Sequence, residues 1–580
     1  MQVHLFFMEH ILSLTIFSPL IGIVLIMLVP RRFEEGSRAI ALFTSLFTFA
    51  LTCYLWTNFG QTKLFYYEEN LPWISALNIN YHVGVDGVSL FLNILTALLV
   101  PICVAASWEE IKTQRKGFYI FLLACEVGLL GAFSAMDLFL FYIFWEVMLI
   151  PMYFLIGIWG SGRRIYVALK FLLFTMTGSV LMLVGLVYLY VKNGQTFDIL
   201  AISANPIADP NVQLWLFLAF ALAFAIKVPM FPFHTWLPDA HTEAPTAGSV
   251  LLAGVFLKAG TYGFYRIAMP FFPSAVAELR TYIFVLAVIG IVYGAAVSVV
   301  QKDLKRLIAY SSVSHLGFVI LGLIALNPEG VQGAVLQMVN HGLSTGALFL
   351  LFGMLYSRYH TRNIADYGGI ASVMPFYTGV FIFVGISSLG LPGLNNFVGE
   401  LLIFLGTFRV NYLYAIISAT AIILAAIYIL WAIERVFFGK VAQKEHAKDM
   451  GLREFALVVP LLVGILWLGV HPSTILSKIK YSTAEFRKYA KRSIVEPARD
   501  PLQIMIPERL KLRPDIIIPE GAVGDEAPAV DTDDDDKKDE GYENKLENDV
   551  GKSVDDEESS TELGIEKSNI PVEVPPDNRE

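Results

Sequence analysis

Apolar runs of about 20 residues recur along most of this chain, and they limit its possible folds more than any other feature. A helix of about 20 residues matches the hydrocarbon thickness of a bilayer. Of the 580 residues, 56% are apolar and 16% are charged, whereas soluble domains carry about 25% charged residues. Repeated runs of this length therefore predict an all-α, polytopic membrane protein.

The apolar runs divide into fourteen predicted spans. The first run lacks the basic start and the small-residue cleavage site of a signal peptide, so we expect it to be a retained span. The predicted spans cover residues 10–29, 39–58, 87–107, 118–134, 138–158, 168–192, 213–235, 247–268, 281–300, 306–326, 332–357, 375–406, 412–434 and 455–471.

Lysine and arginine concentrate in the loops that follow odd-numbered spans, such as RRFEEGSR after span 1 and QKDLKR after span 9. Loops rich in these residues stay on the cytoplasmic side of a membrane. The alternation holds along the whole membrane body. It supports the count of fourteen spans and predicts that both termini lie on the outer face.

Two of the spans contain helix-breaking residues. In span 7, Pro229 and Pro232 follow Lys227, so we expect the carbonyl groups near Ala225 and Val228 to lose their helical partners. Span 12 contains the sequence Gly-Leu-Pro-Gly at 390–393. Broken helices in membranes line protein or wet cavities, and they recur at corresponding positions of inverted repeats.

The five-span separation of the two breaks predicts two inverted five-helix repeats. The first repeat is spans 4–8, residues 118–268, and the second is spans 9–13, residues 281–434. Residues 1–117 would hold spans 1–3, and span 14 would follow at 455–471. Residues 481–580 carry 27 acidic and 14 basic residues, among them DTDDDDKKDE, and are predicted to form a disordered acidic tail rather than a calcium loop.

Motifs for cofactors and metals are missing from the sequence. The three cysteines fall in apolar segments without CxxC spacing, and neither GxGxxG nor a Walker A motif is present. We therefore expect no cofactor and no metal site in this chain, and no nucleic-acid partner. Any redox chemistry would take place in other subunits.

Four ionisable residues lie in the middle of apolar spans: Glu146, Lys227, Lys258 and Glu400. Each such group costs about 2.5–3.5 kcal/mol to insert at a helix centre, so it is a functional-site hypothesis by default. The leading hypothesis is a proton path. The alternative for Glu146 and Lys227 is a static ion pair that fixes helix packing.

Lys258 is the strongest single candidate for a proton carrier. Burial disfavours the charged form of a lysine, while an acidic neighbour favours it. Moving that neighbouring charge would load or unload the lysine. His315 and His341 could relay the proton, or could hold waters and backbone groups.

Further polar residues allow two interpretations. Lys170 could join the path or extend its amine to the interface, and Glu126 could equally be a packing acid. His234, with Asp239, His241 and Glu243 after span 7, could form a proton entrance, although a solvated loop is the simpler interpretation.

Long segments of the chain resemble one known family. FYIFWEVMLIPMYFLIGIWG, KVPMFPFHTWLPDAHTEAPTAGSVLLAGVFLKAGTYGFYR, DLKRLIAYSSVSHLGFV and GLPGLNNFVGELLIF are similar to the antiporter-like membrane subunits of respiratory NADH:quinone oxidoreductase, complex I. The resemblance covers about residues 10–475. It is strongest to type M, the counterpart of mitochondrial chain 4, because the span-12 residue is Glu400 where types L and N usually have lysine.

The resemblance implies a role for each matching residue. Glu146 and Lys227 would form a conformationally sensitive pair, with Lys258 as the central lysine. His315 and His341 would belong to the central polar axis and Glu400 would be the exit-side carboxylate. It gives no role to Glu126 or to the acidic tail.

The resemblance also implies the protein's setting. The chain would be a non-redox, proton-translocating subunit in a bacterial plasma membrane, next to subunits of types L and N. Partner subunits would hold FMN, the iron–sulfur clusters and quinone. Two other functions stay open: a subunit of a multisubunit Na⁺/H⁺ antiporter, and a structural scaffold of the membrane arm.

Overall fold

Most of the residues that the computed structural model describes are helical; the described residues are 9–60, 62–441 and 447–494. Thirteen of the described helices are long and apolar enough to cross a membrane. The described helices are α1 (Ile11–Leu28), α2 (Gly36–Thr57), α3 (Gly87–Glu110), α4 (Arg115–Ser134), α5 (Leu138–Trp159), α6 (Arg164–Lys192), α7 (Ile199–Ala204), α8 (Pro210–Lys227), α9 (Trp236–Glu243), α10 (Thr246–Phe271), α11 (Pro273–Val299), α12 (Leu304–Ala325), α13 (Pro328–Tyr359), α14 (Ile370–Val373), α15 (Pro375–Ser388), α16 (Asn395–Val410), α17 (Tyr412–Phe437), α18 (Leu452–Val470) and α19 (Ser473–Ala490).

The predicted multi-span, all-α fold is confirmed, and the chain is a multi-pass membrane protein. Thirteen predicted spans correspond to the thirteen long helices. The remaining one, span 12, is present as two shorter helices, α15 and α16. The division into two inverted repeats stays a prediction.

Both predicted helix breaks are present. The helix of span 7 ends at Lys227, and the chain becomes helical again at Trp236. The expected loss of a partner for the Ala225 carbonyl is wrong, because the amide of Met230 donates to it at 2.8 Å. The bond skips one residue further than in an α-helix. The backbone thus compensates for the missing proline donor.

The break in span 12 is built by glycine. Gly390 and Gly393 have φ angles of 73° and 91°, a backbone region that is costly for residues with a Cβ atom. Helix α15 therefore ends at Ser388 and α16 starts at Asn395.

Helix α10 is the most enclosed of the described spans, because every residue in an apolar stretch of 18 residues is buried. It contains two π-helical stretches, Leu252–Phe256 and Phe264–Ala268, on either side of Lys258. π-bulges of this kind occur frequently at functional sites. In helices α12 and α13, which carry the two histidines, 94% of the residues in an apolar stretch of 18 residues are buried.

A two-stranded antiparallel hairpin, β1 (Tyr66–Ile74) and β2 (Ile79–Val85), precedes α3. It was not predicted, because its residues are too polar for a span and alternate irregularly. His82 on β2 lies 2.9 Å from Glu68 Oε1 and 3.2 Å from Asp198 Oδ2. The hairpin is thereby joined to the segment that follows α6.

The predicted start of the disordered tail at residue 481 is wrong. Residues 473–490 form helix α19, which buries Ile475, Ile479 and Phe486. The helix packs so closely against the start of α3 that the Gly87 amide donates to Ser482 Oγ at 3.0 Å. The pattern of buried residues one turn or two apart makes the helix amphipathic. Residues 495–580, including the acidic run, lie outside the described residues.

Candidate functional site

Four of the predicted site residues form a continuous buried series, which we call the central column: Lys258, His341, His315 and Glu400. Lys258 Nζ lies 2.6 Å from His341 Nδ1 and also donates to the Ala253 carbonyl. The rings of His341 and His315 are 5.7 Å apart between centroids. His315 Nδ1 lies 3.3 Å from Glu400 Oε1. The column links helices α10, α13, α12 and α16.

Each member of the central column is shielded from solvent. Lys258 and His341 are 0% and 1% exposed, and His315 and Glu400 are 5% and 6% exposed. Because an isolated charge is costly in such a place, the groups are suited to share protons rather than to hold fixed charges.

The Glu400 end of the column rests against the break in span 12. Gln337 Nε2 donates to Glu400 Oε1 at 3.2 Å. A Cβ atom at Gly390 would lie 2.7 Å from Glu400 Oε2, so a side chain there would displace the carboxylate. Tyr428 also lies close to the carboxylate.

A second set of polar contacts fixes the start of α16, and the sequence did not indicate it. Asn340 Nδ2 donates to the Asn395 carbonyl at 2.7 Å, and Asn395 Nδ2 donates to the Asn340 carbonyl at 3.1 Å. Ser344 Oγ and Ser387 Oγ are 2.8 Å apart. The only signal for these contacts is the NHxxS pattern on α13, in which Asn340 directly precedes His341 and Ser344 lies three residues after it.

Glu146 and Lys227 are not in contact, although both lie in the described part of the chain. No nitrogen–oxygen distance of 4.0 Å or less joins them. Lys227 Nζ instead lies 5.0 Å from the ring centres of Trp145 and Phe256. Within the described residues, Lys227 Nζ and Glu146 Oε1 have no hydrogen-bond partner. The structure therefore holds the two groups as a separated pair, and the alternative of a static ion pair is wrong for this conformation.

Lys170 lies outside the central column. Its amine is 2.7 Å from Asp239 Oδ2 and 2.9 Å from the Thr235 carbonyl. Arg306 Nη2 approaches the other Asp239 oxygen at 3.3 Å. These contacts connect α6 and α12 to α9, the helix that follows the break in span 7.

His234 and Glu126 are also outside the column. The His234 ring packs against Tyr293 at 4.9 Å between centroids. Glu126 is 0% exposed, and neither of its oxygens has a partner among the described residues.

The expectation of a solvated loop after span 7 is wrong for His241 and Glu243, which are 0% and 7% exposed. The His241 ring stacks on Phe349 at 4.5 Å. Lys305 Nζ donates to the Ala244 carbonyl at 2.6 Å. A cavity of about 160 Å³ lies beside Glu243 and Lys305, and Glu110 and Arg362 are among the residues that line it. His241 and Glu243 lie on the short helix α9, which the sequence did not indicate and which places both side chains in the interior.

The described residues contain no group of three or more histidine, cysteine or carboxylate side chains that could hold a metal ion. What the site offers chemically is a line of proton donors and acceptors.

Comparison with known proteins adds independent evidence. Residues 135–427 match the family described as NADH:quinone oxidoreductase/Mrp antiporter, TM. Residues 13–130 match NADH-ubiquinone oxidoreductase chain 4, amino terminus. The chain is 42% identical over 476 residues to NADH-ubiquinone oxidoreductase chain 4 of Chondrus crispus, an alignment that covers 81% of this chain and 96% of that relative.

This chain belongs to the chain 4/subunit M family. It is 43% identical over 496 residues to NADH-quinone oxidoreductase subunit M of Rhodobacter capsulatus, covering 82% of this chain and 96% of that one. The resemblance to type-M subunits that the sequence suggested is confirmed.

Solved structures share the fold. A chain of the respiratory complex I from Thermus thermophilus with bound NADH has a TM-score of 0.77 at 31% identity, and the match covers 83% of this chain and 99% of that chain. A chain of the Mrp complex from Dietzia has a TM-score of 0.73 at 19% identity, covering 83% and 99%, which shows a common fold.

Proposed function

We propose that this chain is a proton-translocating membrane subunit of a bacterial respiratory NADH:quinone oxidoreductase, located in the plasma membrane with both termini outside. The observation that carries the proposal is the central column, which joins a buried lysine to a carboxylate at a broken helix through two histidines. The chain itself does no redox chemistry in this proposal. FMN, the iron–sulfur clusters and quinone belong to partner subunits, and subunits of types L and N are its neighbours in the membrane.

Proton transfer begins at Lys258. Its ammonium gives a proton to His341 Nδ1, at 2.6 Å, and becomes a neutral amine. The proton then passes to His315 and to Glu400, which takes it up as a carboxylic acid and releases it to the outer face. Each step moves one proton between two named groups, so charge and atoms balance.

Lys227 is suited to control the proton affinity of Lys258. Its ammonium lies 5.0 Å from the ring of Phe256, two residues before Lys258 on α10. When Lys227 moves toward Glu146, a positive charge leaves the neighbourhood and Lys258 binds a proton more tightly. When Lys227 returns, Lys258 releases it.

The energy that proton transport requires and the energy that the switch supplies are of similar size. Moving one charge against a membrane potential of 100 mV costs about 2.3 kcal/mol. A hundredfold change in the proton affinity of Lys258 supplies about 2.7 kcal/mol. One switching event is therefore enough to drive one proton.

Purification of the native assembly tests the setting. We expect an affinity-tagged chain to bring down flavin and iron–sulfur proteins together with two further antiporter-like subunits, and the preparation to reduce quinone with NADH. An assembly of membrane subunits that lacks flavin and exchanges Na⁺ for H⁺ would contradict the proposal and favour the antiporter.

A substitution at Glu146 tests the switch. In proteoliposomes with the whole complex, we expect Glu146→Gln to lower the proton uptake that depends on this subunit by about tenfold or more, the factor that a loss of one pKa unit of switching at Lys258 corresponds to. Glu434→Gln is the matched control, because Glu434 is an exposed glutamate at the end of α17. Equal proton uptake in the two variants would contradict the proposed Glu146–Lys227 switch and favour a purely structural role for this subunit.

A further inference from the structure

The ammonium group of Lys227 is surrounded by aromatic rings from three different helices. Lys227 Nζ lies 5.0 Å from the ring centres of Trp145 on α5 and Phe256 on α10. It lies 6.0 Å from the ring centre of Phe171 on α6. Trp145 is 2% exposed, and the two phenylalanines are 0% exposed. We call Trp145, Phe171 and Phe256 the aromatic cage.

The face of an aromatic ring attracts a cation. The face carries the negative end of the ring's quadrupole, and the attraction is significant within about 6 Å of the ring centre and stronger away from water. All three rings of the cage lie within this distance of Lys227 Nζ. A neutral amine has no charge for the rings to attract. The cage therefore favours the protonated form of the lysine.

The lysine needs this support where it lies. Lys227 is 1% exposed, and its Nζ has no hydrogen-bond partner among the described residues. The Glu146 carboxylate does not approach it within 4.0 Å. A buried lysine without a compensating group tends to lose its proton. In the described structure, ring faces thus stand around the ammonium in place of an acid.

The break in span 7 helps to build the cage. The Met230 amide donates to the Ala225 carbonyl, which leaves the Ile226 carbonyl free to accept from Trp236 Nε1 at 2.8 Å. The Trp236 ring in turn packs against Phe171 at 5.3 Å between centroids. The same break therefore ends α8 at the lysine and supports one wall of the cage.

We propose that the aromatic cage is the second position of the Lys227 ammonium in the switch, and that its rings are positioning residues that keep the lysine protonated there. The ammonium exchanges between a salt bridge with Glu146 and the cage. Its charge is compensated in both positions, by a carboxylate in one and by ring faces in the other. The proton therefore stays on Lys227 while the side chain moves, and the switch transfers a charge rather than a proton.

The cage proposal rests on the proposed function, since it concerns the position that Lys227 takes in the switch. The simpler alternative is that the three rings only fill space around the lysine. The two differ in one physical property. Packing depends on the size of a ring, whereas cation binding depends on the negative charge of its face. Fluorine atoms on the ring withdraw that charge and change the size of the ring little.

The test is a fluorination series at Phe256. Nonsense suppression replaces Phe256 by phenylalanine with one, two or three fluorine atoms on its ring, in the whole complex in proteoliposomes. Protons taken up per NADH oxidised are measured, and the share of this subunit is the difference between the wild type and Lys258→Ala. We expect this share to fall with each fluorine, and to fall at least about threefold with three.

The matched control is the same series at Phe220. Phe220 is 0% exposed, lies on α8, and contacts the rings of Phe224 and Phe272 rather than a cation among the described residues. We expect this series to keep the wild-type share. Native gels and NADH:ferricyanide activity establish that each variant complex is assembled.

Two results separate the cage from the function on which it rests. A Phe256 series that lowers the share no more than the Phe220 series overturns the cage, and the proposed function stands if Glu146→Gln still lowers uptake. If Lys258→Ala keeps the full wild-type uptake, the proposed function fails, and the cage proposal fails with it.

Discussion

The position of the Glu400 carboxylate depends on the glycine opposite it, Gly390. Its Oε2 lies where a side chain at Gly390 would be, and its Oε1 faces both Gln337 and His315. The position thus combines an acid with a backbone break. A glutamate in an unbroken helix would lack the space that Gly390 leaves.

Alanine at Gly390 should displace the Glu400 carboxylate. The new Cβ atom would lie 2.7 Å from Oε2, at a φ of 73°. The backbone alone costs about 1 kcal/mol for a residue with a Cβ atom. We expect lower proton uptake per NADH with quinone reduction retained.

Gly393→Ala is the control for this prediction. Gly393 has a φ of 91° and nothing within 4 Å of its Cβ position, so it carries backbone strain without the contact. Similar uptake in the two variants would show that contact with Glu400 is irrelevant.

The sequence predicted individual site residues better than their distances. Glu146, Lys227, Lys258 and Glu400 stood out because charges are rare in apolar spans. The separation of Lys227 from Glu146 could not be predicted in this way, because it depends on where α8 ends and on the positions of two aromatic rings. Asn340 and Asn395 were missed because uncharged polar residues in a span give a weak signal.

At the scale of elements, helix breaks were predictable while short surface elements were not. Proline and glycine act through the local backbone, so the breaks in spans 7 and 12 followed from the sequence alone. The β-hairpin and helix α19 are fixed by contacts with distant residues, such as Gly87 with Ser482. Local patterns carry little of that information.

The hairpin contains a pH-dependent contact outside the membrane. Burial lowers the pKa of His82, but hydrogen bonds and charge from Asp198 and Glu68 outweigh it, and the pKa is raised. The pKa of Asp198 is lowered, because its bond to His82 and two backbone amides outweighs its own burial. Asp137 is a further acid that feels the His82 charge.

Hydrogen exchange of the hairpin should therefore depend on pH through His82. A raised histidine pKa stabilises the folded hairpin fully below the unfolded value of about 6.5, and this is lost as pH rises through the folded value. We expect lower protection factors for β2 amides at about pH 9 than at about pH 6, and no such difference in His82→Gln.

His360→Gln serves as the control, since His360 is an exposed histidine after α13. It should leave the pH dependence of β2 unchanged. A pH dependence that persists in His82→Gln would show that another group controls the hairpin.

At the scale of the whole molecule, the central column connects both halves of the bundle. Lys258 lies on the last span of the first predicted repeat, while His315, His341 and Glu400 lie on spans of the second. The sequence suggested which residues form the path but not the distances between them. Contact between Lys258 and His341 at 2.6 Å is what makes a single path across the two halves.

The most direct test of this path is proton uptake by the reconstituted complex with Lys258→Ala. Lys302→Ala is the control, because Lys302 is an exposed lysine in the turn before α12. With matched rates of quinone reduction, we predict fewer protons per NADH in Lys258→Ala and a wild-type ratio in Lys302→Ala. A wild-type ratio in a fully assembled Lys258→Ala complex would contradict the central claim.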